Sequence, residues 1–368
     1  MKLGIPKETL TGECRVAITP DVAKTLIGKG LEVCVERGAG EAAHFHDDGY
    51  VAAGASLVDR SEALACDLVA KVRRPTVEDA AALREGATYI GLMETCGEDE
   101  VAAAMHARDI TILALERIPR ISRAQSMDVL SSQANIAGYR AVIEAAARYE
   151  RFMPMMMTAA GSAKPARVVV LGVGVAGLQA IATARRLGAE VFAYDVRPET
   201  REQILSLGAK PIDLDIGEEG SGEGGYAREL SDEAKARQQQ LLADELAKAH
   251  IIVTTAQIPC RPAPVLVVPE VVERMREGSV IVDMAAGSGG NCPLSKPDEI
   301  VTAHGVIIVG HTNYPSMMAT DASTFFARNI ANFLDLVLEK GEDGALFRKD
   351  LDADEITAAA QFKPQPSE

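Results

Sequence analysis

Residues 168–195 read VVVLGVGVAGLQAIATARRLGAEVFAYD, and they restrict the folds open to this chain more than any other stretch. Four apolar residues predict a buried strand. Gly172, Gly174 and Gly177 follow at once in a G-x-G-x-x-G spacing, a helical run Leu178–Leu187 comes next, and a second apolar strand ends on Asp195. Strand, glycine turn, helix and strand in this register form a βαβ unit that binds dinucleotides. Gly172 permits the tight turn. Gly174 lets the backbone approach a pyrophosphate at the helix N-terminus, where unpaired N–H groups and the helix dipole favour an anion, and Gly177 lets helix and sheet pack closely. Asp195 stands 18 residues past the last glycine, where a carboxylate accepts from the adenosine ribose hydroxyls and repels a 2′-phosphate. The reading is therefore NAD(H). Arg197 keeps NADP open as the less favoured cofactor, since a guanidinium there is able to meet a phosphate.

At 368 residues with 47% hydrophobic composition, the chain is long enough for two domains with separate cores. Trp is absent, so these cores are aliphatic. The net charge of −15 argues against nucleic acid and against an acidic lipid surface. No stretch approaches the ~18–20 continuous apolar residues of a membrane helix, so no direct membrane insertion is expected. The opening MKLGIPKETL lacks the apolar core of a signal peptide, which points to the cytoplasm. Six cysteines are scattered without a C-x-x-C pair, which predicts buried thiols rather than a zinc site or a disulfide framework, and His44 and His46 read as solvated. No metal is expected.

Short apolar runs alternate with amphipathic ones throughout. Strands are predicted at 2–5, 32–36, 68–71, 88–91 and 111–114, then at 168–171, 191–194, 251–254, 280–283 and 306–309. That alternation predicts an α/β protein with two Rossmann-like parallel-sheet domains. Helical patterns at 131–151 and 320–340 read as long crossovers joining the domains, with a cleft between them. The expected boundaries are 1–130 plus 316–368 for a discontinuous first domain, and 131–315 for the NAD(H)-binding domain. Met153–Ala163 reads as a linker with Met-rich packing. GEEGSGEGG at 217–225 cannot fill a core and reads, with Tyr226, as a mobile loop over about 217–230.

Dehydrogenation of a hydroxy or amino acid moves a proton as well as a hydride, so it needs a positioned His or Lys. Transfer between two nicotinamides needs none; the protein has only to orient two rings and exclude water. Arg120, Gln125, Asp128 and Ser131 recur at the start of the first crossover helix. None of them is a proton donor at neutral pH. They suit orientation of a carboxamide, or form an Arg–Asp cluster that is purely structural.

The segments GIPKET, ERIPRISRAQSMDVLSSQANIAGYRAV, LGVGVAGLQAIATARRLGAEVFAYDVRPETREQ, EGGYARELS, TTAQIPCRPAP and VIVDMAAGSGGN together resemble the NAD(H)-binding α subunit, domain I, of proton-translocating NAD(P) transhydrogenases, whose fold alanine dehydrogenase shares. The similarity runs nearly end to end. It implies a homodimer that passes a hydride from NADH to NADP⁺ on a partner subunit, while membrane-spanning subunits couple the step to proton movement. The location it implies is peripheral, at the cytoplasmic face of the inner membrane. Carried over by motif, Arg120, Gln125, Asp128 and Ser131 contact the nicotinamide. Gly172, Gly174, Val175, Ala176 and Gly177 surround the pyrophosphate; Asp195, Val196 and Arg197 belong to the ribose region; Tyr226 sits on the mobile loop; and Gln257 lies at a strand end beside the cofactor. Two positions depart from the family pattern: Cys260 replaces the glycine of TAQIPG, and Gly287 replaces the acid of AAE.

The alternative is an alanine dehydrogenase-like amino-acid dehydrogenase. Arg15 and Lys71 match that enzyme's substrate-binding positions. Its acid/base histidine, expected after the next strand, is missing from TYIGLMETCGEDE, and the nearest, His106, falls on the following helix.

Overall fold

The computed structural model describes residues 1–94, 96–97, 99–214, 232–341 and 346–363, with side chains from 237 onward in the helix that begins at 232. The glycine- and glutamate-rich loop and Tyr226 lie outside the described residues. Two compact units divide the chain: Met1–Gln133 with Pro315–Glu368, and Ala134–Tyr314.

Unit 1 begins with β1 (Lys2–Ile5), α1 (Pro20–Gly28), β2 (Glu32–Glu36), α2 (Asp47–Ala52), β3 (Ser56–Val58), α3 (Arg60–Leu64) and β4 (Leu68–Ala70). It continues through α4 (Val77–Ala82), β5 (Thr88–Gly91), α5 (Glu100–His106) and β6 (Thr111–Ala114). The six strands are parallel, in the order β3-β2-β1-β4-β5-β6. Alternate residues face opposite sides of the sheet. Leu68 and Ala70 join the core under α1, whereas Val69 joins the one that holds Ala80, Val101 and Met105. Burial on both faces explains the near-continuous apolar runs.

The boundary between the units falls inside α6 (Val129–Arg148). In unit 2 there follow β7 (Met156–Thr158), β8 (Gly161–Ala163), β9 (Arg167–Leu171), α7 (Val175–Arg186), β10 (Glu190–Tyr194), α8 (Thr200–Ser206) and β11 (Lys210–Pro211). After these come α9 (Asp232–Leu246), β12 (Ile251–Thr254), α10 (Pro269–Arg274), β13 (Val280–Asp283), β14 (Ile300–Ala303) and β15 (Val306–Val309). The sheet order is β11-β10-β9-β12-β13-β15-β14, parallel except for the β14–β15 edge pair. The strand order reverses direction between β9 and β12, and ligands of open α/β sheets bind at the carboxyl ends of the strands flanking such a point. Val169, Leu171, Ile252 and Ile281 pack on Leu242, Leu246, Val271 and Val272. Full burial of one such side chain is worth roughly 1.5–3 kcal/mol.

Unit 1 is completed by α11 (Ala319–Val337), β16 (Leu338–Lys340), β17 (Leu346–Arg348) and α12 (Glu355–Ala360). On α11, Phe326, Ile330, Phe333, Leu334 and Val337 fill the core under β1 and β2. The helix expected to reach Lys340 stops at Val337, because its last three residues pair antiparallel with β17. The Met-rich segment also differs from expectation. It forms the β7–β8 hairpin, on which Met155, Met156 and Met157 are exposed rather than packed. Among the cysteines Cys66 and Cys292 are buried and Cys14 and Cys34 partly so. Cys96 and Cys260 are exposed instead, because they stand in loops beyond strand ends. His44 and His46 are exposed as expected. Among the described residues no helix is long and apolar enough to cross a membrane.

Candidate functional site

The glycine turn lies where β9 and β12 part. Gly172 has φ +90°, and a Cβ there would stand 2.7 Å from Thr255 Oγ1 and 3.1 Å from the Ala256 nitrogen. A Cβ on Gly177 would fall 1.9 Å from the Gly172 carbonyl oxygen, so what this glycine admits is the turn backbone. Beside Gly174 there is open space, with nothing within 4 Å of a built Cβ. Gly174 is also the N-cap of α7, so Val175 and Ala176 open the helix with N–H groups that have no intrahelical partner. An anion-sized opening faced by helix N–H groups fits a pyrophosphate.

A cavity of about 540 Å³ continues from the turn. Gly172, Gly174, Asp195, Val196, Arg197 and Gln257 line it, together with Tyr194, Thr255, Ile258 and Leu266. Asp195, at the end of β10, accepts from the Val173 N–H at 2.7 Å and from the Arg197 N–H at 2.9 Å. It also takes both arms of the Arg197 guanidinium, each at 3.0 Å. Burial alone would raise the carboxyl, but the Arg197 guanidinium and these two N–H groups outweigh it and hold Asp195 below the usual carboxylate range. The residue order suggests Arg197 near a phosphate; the structure places it on Asp195. Gln257 donates from Nε2 to the Met284 carbonyl at 2.9 Å.

Three residues that sequence reasoning passed over shape this cavity. Thr255 donates from Oγ1 to the Gly172 carbonyl at 3.0 Å, tying the turn to the end of β12. Asn291 donates to the carbonyls of Ala256 and Pro264 at 2.9 and 2.7 Å. Asp283, fully buried, accepts from Thr254 Oγ1, Ser295 Oγ and the N–H groups of Ala285, Asn291 and Cys292 at 2.7–3.2 Å. Only the aspartate ending VIVD hinted at this, by repeating the position of Asp195 on another strand. At the two departures, Cys260 adopts the left-handed φ of +61°. A side chain on Gly287 would come within 3.2 Å of Thr312 Cγ2.

In unit 1, Asp128 and Ser131 are brought together. Asp128 Oδ1 accepts from the Ser131 N–H at 2.8 Å and Oδ2 from the Ser131 hydroxyl at 2.6 Å, capping the first turn of α6. Gln125, on a 3₁₀ turn, and Arg120 are exposed. Arg120 does not pair with Asp128, contrary to one reading of the spacing, because both carboxylate oxygens are turned into the helix end. Tyr226 lies outside the described residues.

The two cations of the alternative reading are taken up internally. Arg15 donates to Glu13 through Nε and Nη2 at 2.8 and 2.6 Å, and through Nη1 to Gln133 at 2.9 Å. Lys71, 1% exposed, donates to Asp79 at 3.0 Å and stands 3.6 Å from Glu8. Burial pushes the Glu8 carboxyl up to about 7 against the pull of Lys71. A cavity of about 650 Å³ lies beside this cluster, and among the described residues no histidine lines it. His106 instead bonds the Phe362 carbonyl at 2.9 Å. No cluster of three or more His, Cys, Asp or Glu able to hold a metal occurs among the described residues.

Two family models match the chain: the alanine dehydrogenase/PNT N-terminal domain over residues 4–137 and the C-terminal domain over residues 141–360. A Rhodospirillum rubrum protein, named as the first portion of an NAD(P) transhydrogenase subunit alpha, is 53% identical, over 91% of this chain and 89% of its own. A crystal structure of transhydrogenase from Sinorhizobium meliloti superposes with a TM-score of 0.82 at 44% identity, covering 91% of this chain and 93% of that one. Alanine dehydrogenase of Bacillus subtilis is more distant, 28% identical over 90% of this chain and 86% of its own.

Proposed function

Because the chain belongs to the alanine dehydrogenase/PNT family, among the NAD(P) transhydrogenase α subunits, we propose that it passes a hydride from NADH to NADP⁺ held on a partner subunit. The chain binds NAD(H), and the glycine turn and the Asp195 cavity fit that cofactor. The bound dinucleotide supplies the hydride. The chain's own residues bind and orient it: N–H groups of Val175 and Ala176 toward the pyrophosphate, Asp195 toward the adenosine ribose, and Gln257 and Val196 along the cavity wall. Arg120, Gln125, Asp128 and Ser131 orient the nicotinamide. The Asp195 carboxylate in the cavity repels a 2′-phosphate and engages Arg197 itself, which supports NAD over NADP.

The observation that carries this reading over an amino-acid dehydrogenase lies in unit 1. Arg15 and Lys71 are both engaged by buried carboxylates, and among the described residues no histidine lines the cavity beside Lys71. Glu8 titrates near neutrality, but its Oε1 is bound by the Val72 N–H and its carboxyl is buried against Lys71. Hydride exchange between two pyridine rings needs no such proton donor.

Coupling to proton movement falls to membrane-spanning subunits; among the described residues no helix is long and apolar enough to cross a bilayer. The chain then works peripherally at the cytoplasmic face. A homodimer is supported by the exposed apolar run of Phe152, Met155, Met156 and Met157 at the β7–β8 hairpin. The test is to mix the purified chain with the NADP(H)-binding domain of a transhydrogenase and follow reduction of acetylpyridine-NAD⁺ by NADPH. Turnover is expected, slowed by Gln125→Asn with NADH affinity kept. NADH oxidation by the chain alone, dependent on pyruvate and ammonia, would overturn the reading in favour of alanine dehydrogenase chemistry.

A further inference from the structure

Unit 2 carries a second cavity at the opposite end of its sheet from the nucleotide site. It holds about 540 Å³ and is lined by residues that precede strands: Lys164 before β9, His250 directly before β12 and Arg276 before β13. Tyr149, Glu150, Arg151 and Phe152, just past the end of α6, and Ser162 and Ala163 of β8 complete the wall, so the cavity adjoins the apolar run of the β7–β8 hairpin. Among the described residues no carboxylate pairs with Arg151, Lys164 or Arg276, although most arginines in this acidic chain are paired. Counting Glu150, the lining carries three cations and one anion besides the histidine.

His250 is set to donate. Its Nδ1 accepts the Arg167 N–H at 2.9 Å, which leaves the proton of the neutral ring on Nε2. Its ring stacks on Tyr149 with centroids 5.9 Å apart. Burial, with Arg276, Arg151 and Arg167 adding to it, lowers the imidazole below its ordinary value. Arg167 itself is occupied by Glu245 at 2.6 Å.

We propose that this cavity binds a phosphate-class dianion, the phosphoryl group of a small metabolite, through Arg151, Arg276, Lys164 and the His250 Nε2–H. The excess charge of the lining matches a phosphate monoester, which carries about −1.5 to −2 at neutral pH, better than a single carboxylate. Guanidinium forks suit its oxygens. The site is separate from the Asp195 cavity, so it stands whether or not the nucleotide reading does.

The test follows the His250 ring proton by NMR in the full chain, assigned by its loss in His250→Gln. The titrant is inorganic phosphate at constant ionic strength. A saturable shift is expected, with the imidazole titrating at higher pH when phosphate is bound and affinity at least tenfold weaker in the Arg151→Gln/Arg276→Gln double variant. Unchanged thermal melting of that variant shows that folding is retained; if it melts early, Lys164→Gln alone must weaken binding several-fold. The proposal is overturned by a flat His250 signal, by equal affinity in the variants, or by sodium acetate shifting the resonance as strongly. A flat signal or equal affinity would mean that the cations merely offset the carbonyl end of α6, and an equal acetate shift that the cavity takes anions without regard to a second charge.

Discussion

The carboxylate of Asp195 and the guanidinium of Arg197 hold each other across two residues, with Nε and Nη2 each 3.0 Å from a separate oxygen. With the two backbone N–H groups added, every oxygen of Asp195 already accepts two bonds. A ribose diol reaching this carboxylate competes with these donors for its oxygens. Asp195→Asn should weaken NADH at least tenfold, since a hydrogen bond to a charged group contributes ~1.5–3 kcal/mol. It should also raise the NADPH-to-NADH affinity ratio by releasing Arg197. Fluorescence titration with both nucleotides checks this, and an unchanged ratio would remove the specificity role. The folded pKa of Asp195 is depressed, so the pair's stabilisation is present above the ordinary carboxylate pKa and is lost as pH falls through the folded value.

Asp128 has a structural duty, capping α6 through Ser131, and a proposed one toward the nicotinamide. The two separate in substitution. Asp128→Asn keeps an oxygen for the Ser131 N–H, so thermal stability should stay within about 0.5 kcal/mol, whereas Asp128→Ala should cost ~1 kcal/mol. If the charge orients the ring, both variants slow transhydrogenation several-fold. Melting curves beside turnover rates decide it, and loss of rate only in the unstable variant would leave the cap as the whole role.

Glu8 sets a pH dependence in unit 1. Its folded pKa of about 7 stands above the ordinary value of 4.5. Its stabilising protonated form is fully present below about 4.5 and lost as pH rises through 7. Glu8→Gln should thus melt later than the native chain at pH 8, by an amount of order 1 kcal/mol, with the gap closing near pH 5. Transhydrogenation should be unaffected, whereas a proton-shuttling role would abolish activity.

Asp283 gathers five donors around one buried carboxylate, among them the N–H of Asn291, whose side chain holds two carbonyls of the cavity wall. Asp283→Ala strands those donors. A loss of ~3 kcal/mol or more in urea unfolding is expected, together with weaker NADH binding. Ser295→Ala removes only one donor and should cost about 1 kcal/mol. Equal effects of the two would contradict the hub.

Both sheets and the glycine turn are legible in the chain because their signals are local. Apolar runs of four or five residues, the spacing of Gly172, Gly174 and Gly177 and an acid at Asp195 each report on a backbone only a few residues long. The close approach expected at Gly177 is present, but its neighbour is the Gly172 carbonyl rather than the sheet. The short strands β3 and β11, the β14 edge strand, and the β7–β8 and β16–β17 hairpins escape sequence reading. The β14 strand alternates weakly, and the β7–β8 hairpin keeps its methionines in the open where composition argues for packing.

What the residues alone determine here is the parallel α/β framework and its nucleotide turn, since period and glycine spacing act over one strand and one helix. What tertiary structure decides is partnership: Lys71 with Asp79, Arg15 with Glu13 and Gln133, Asp283 with a loop eight to twelve residues on, and the gathering of Arg151, Lys164, His250 and Arg276 from segments up to 125 residues apart. Charge in the interior is governed by which groups the fold makes neighbours, and no local pattern carries that information.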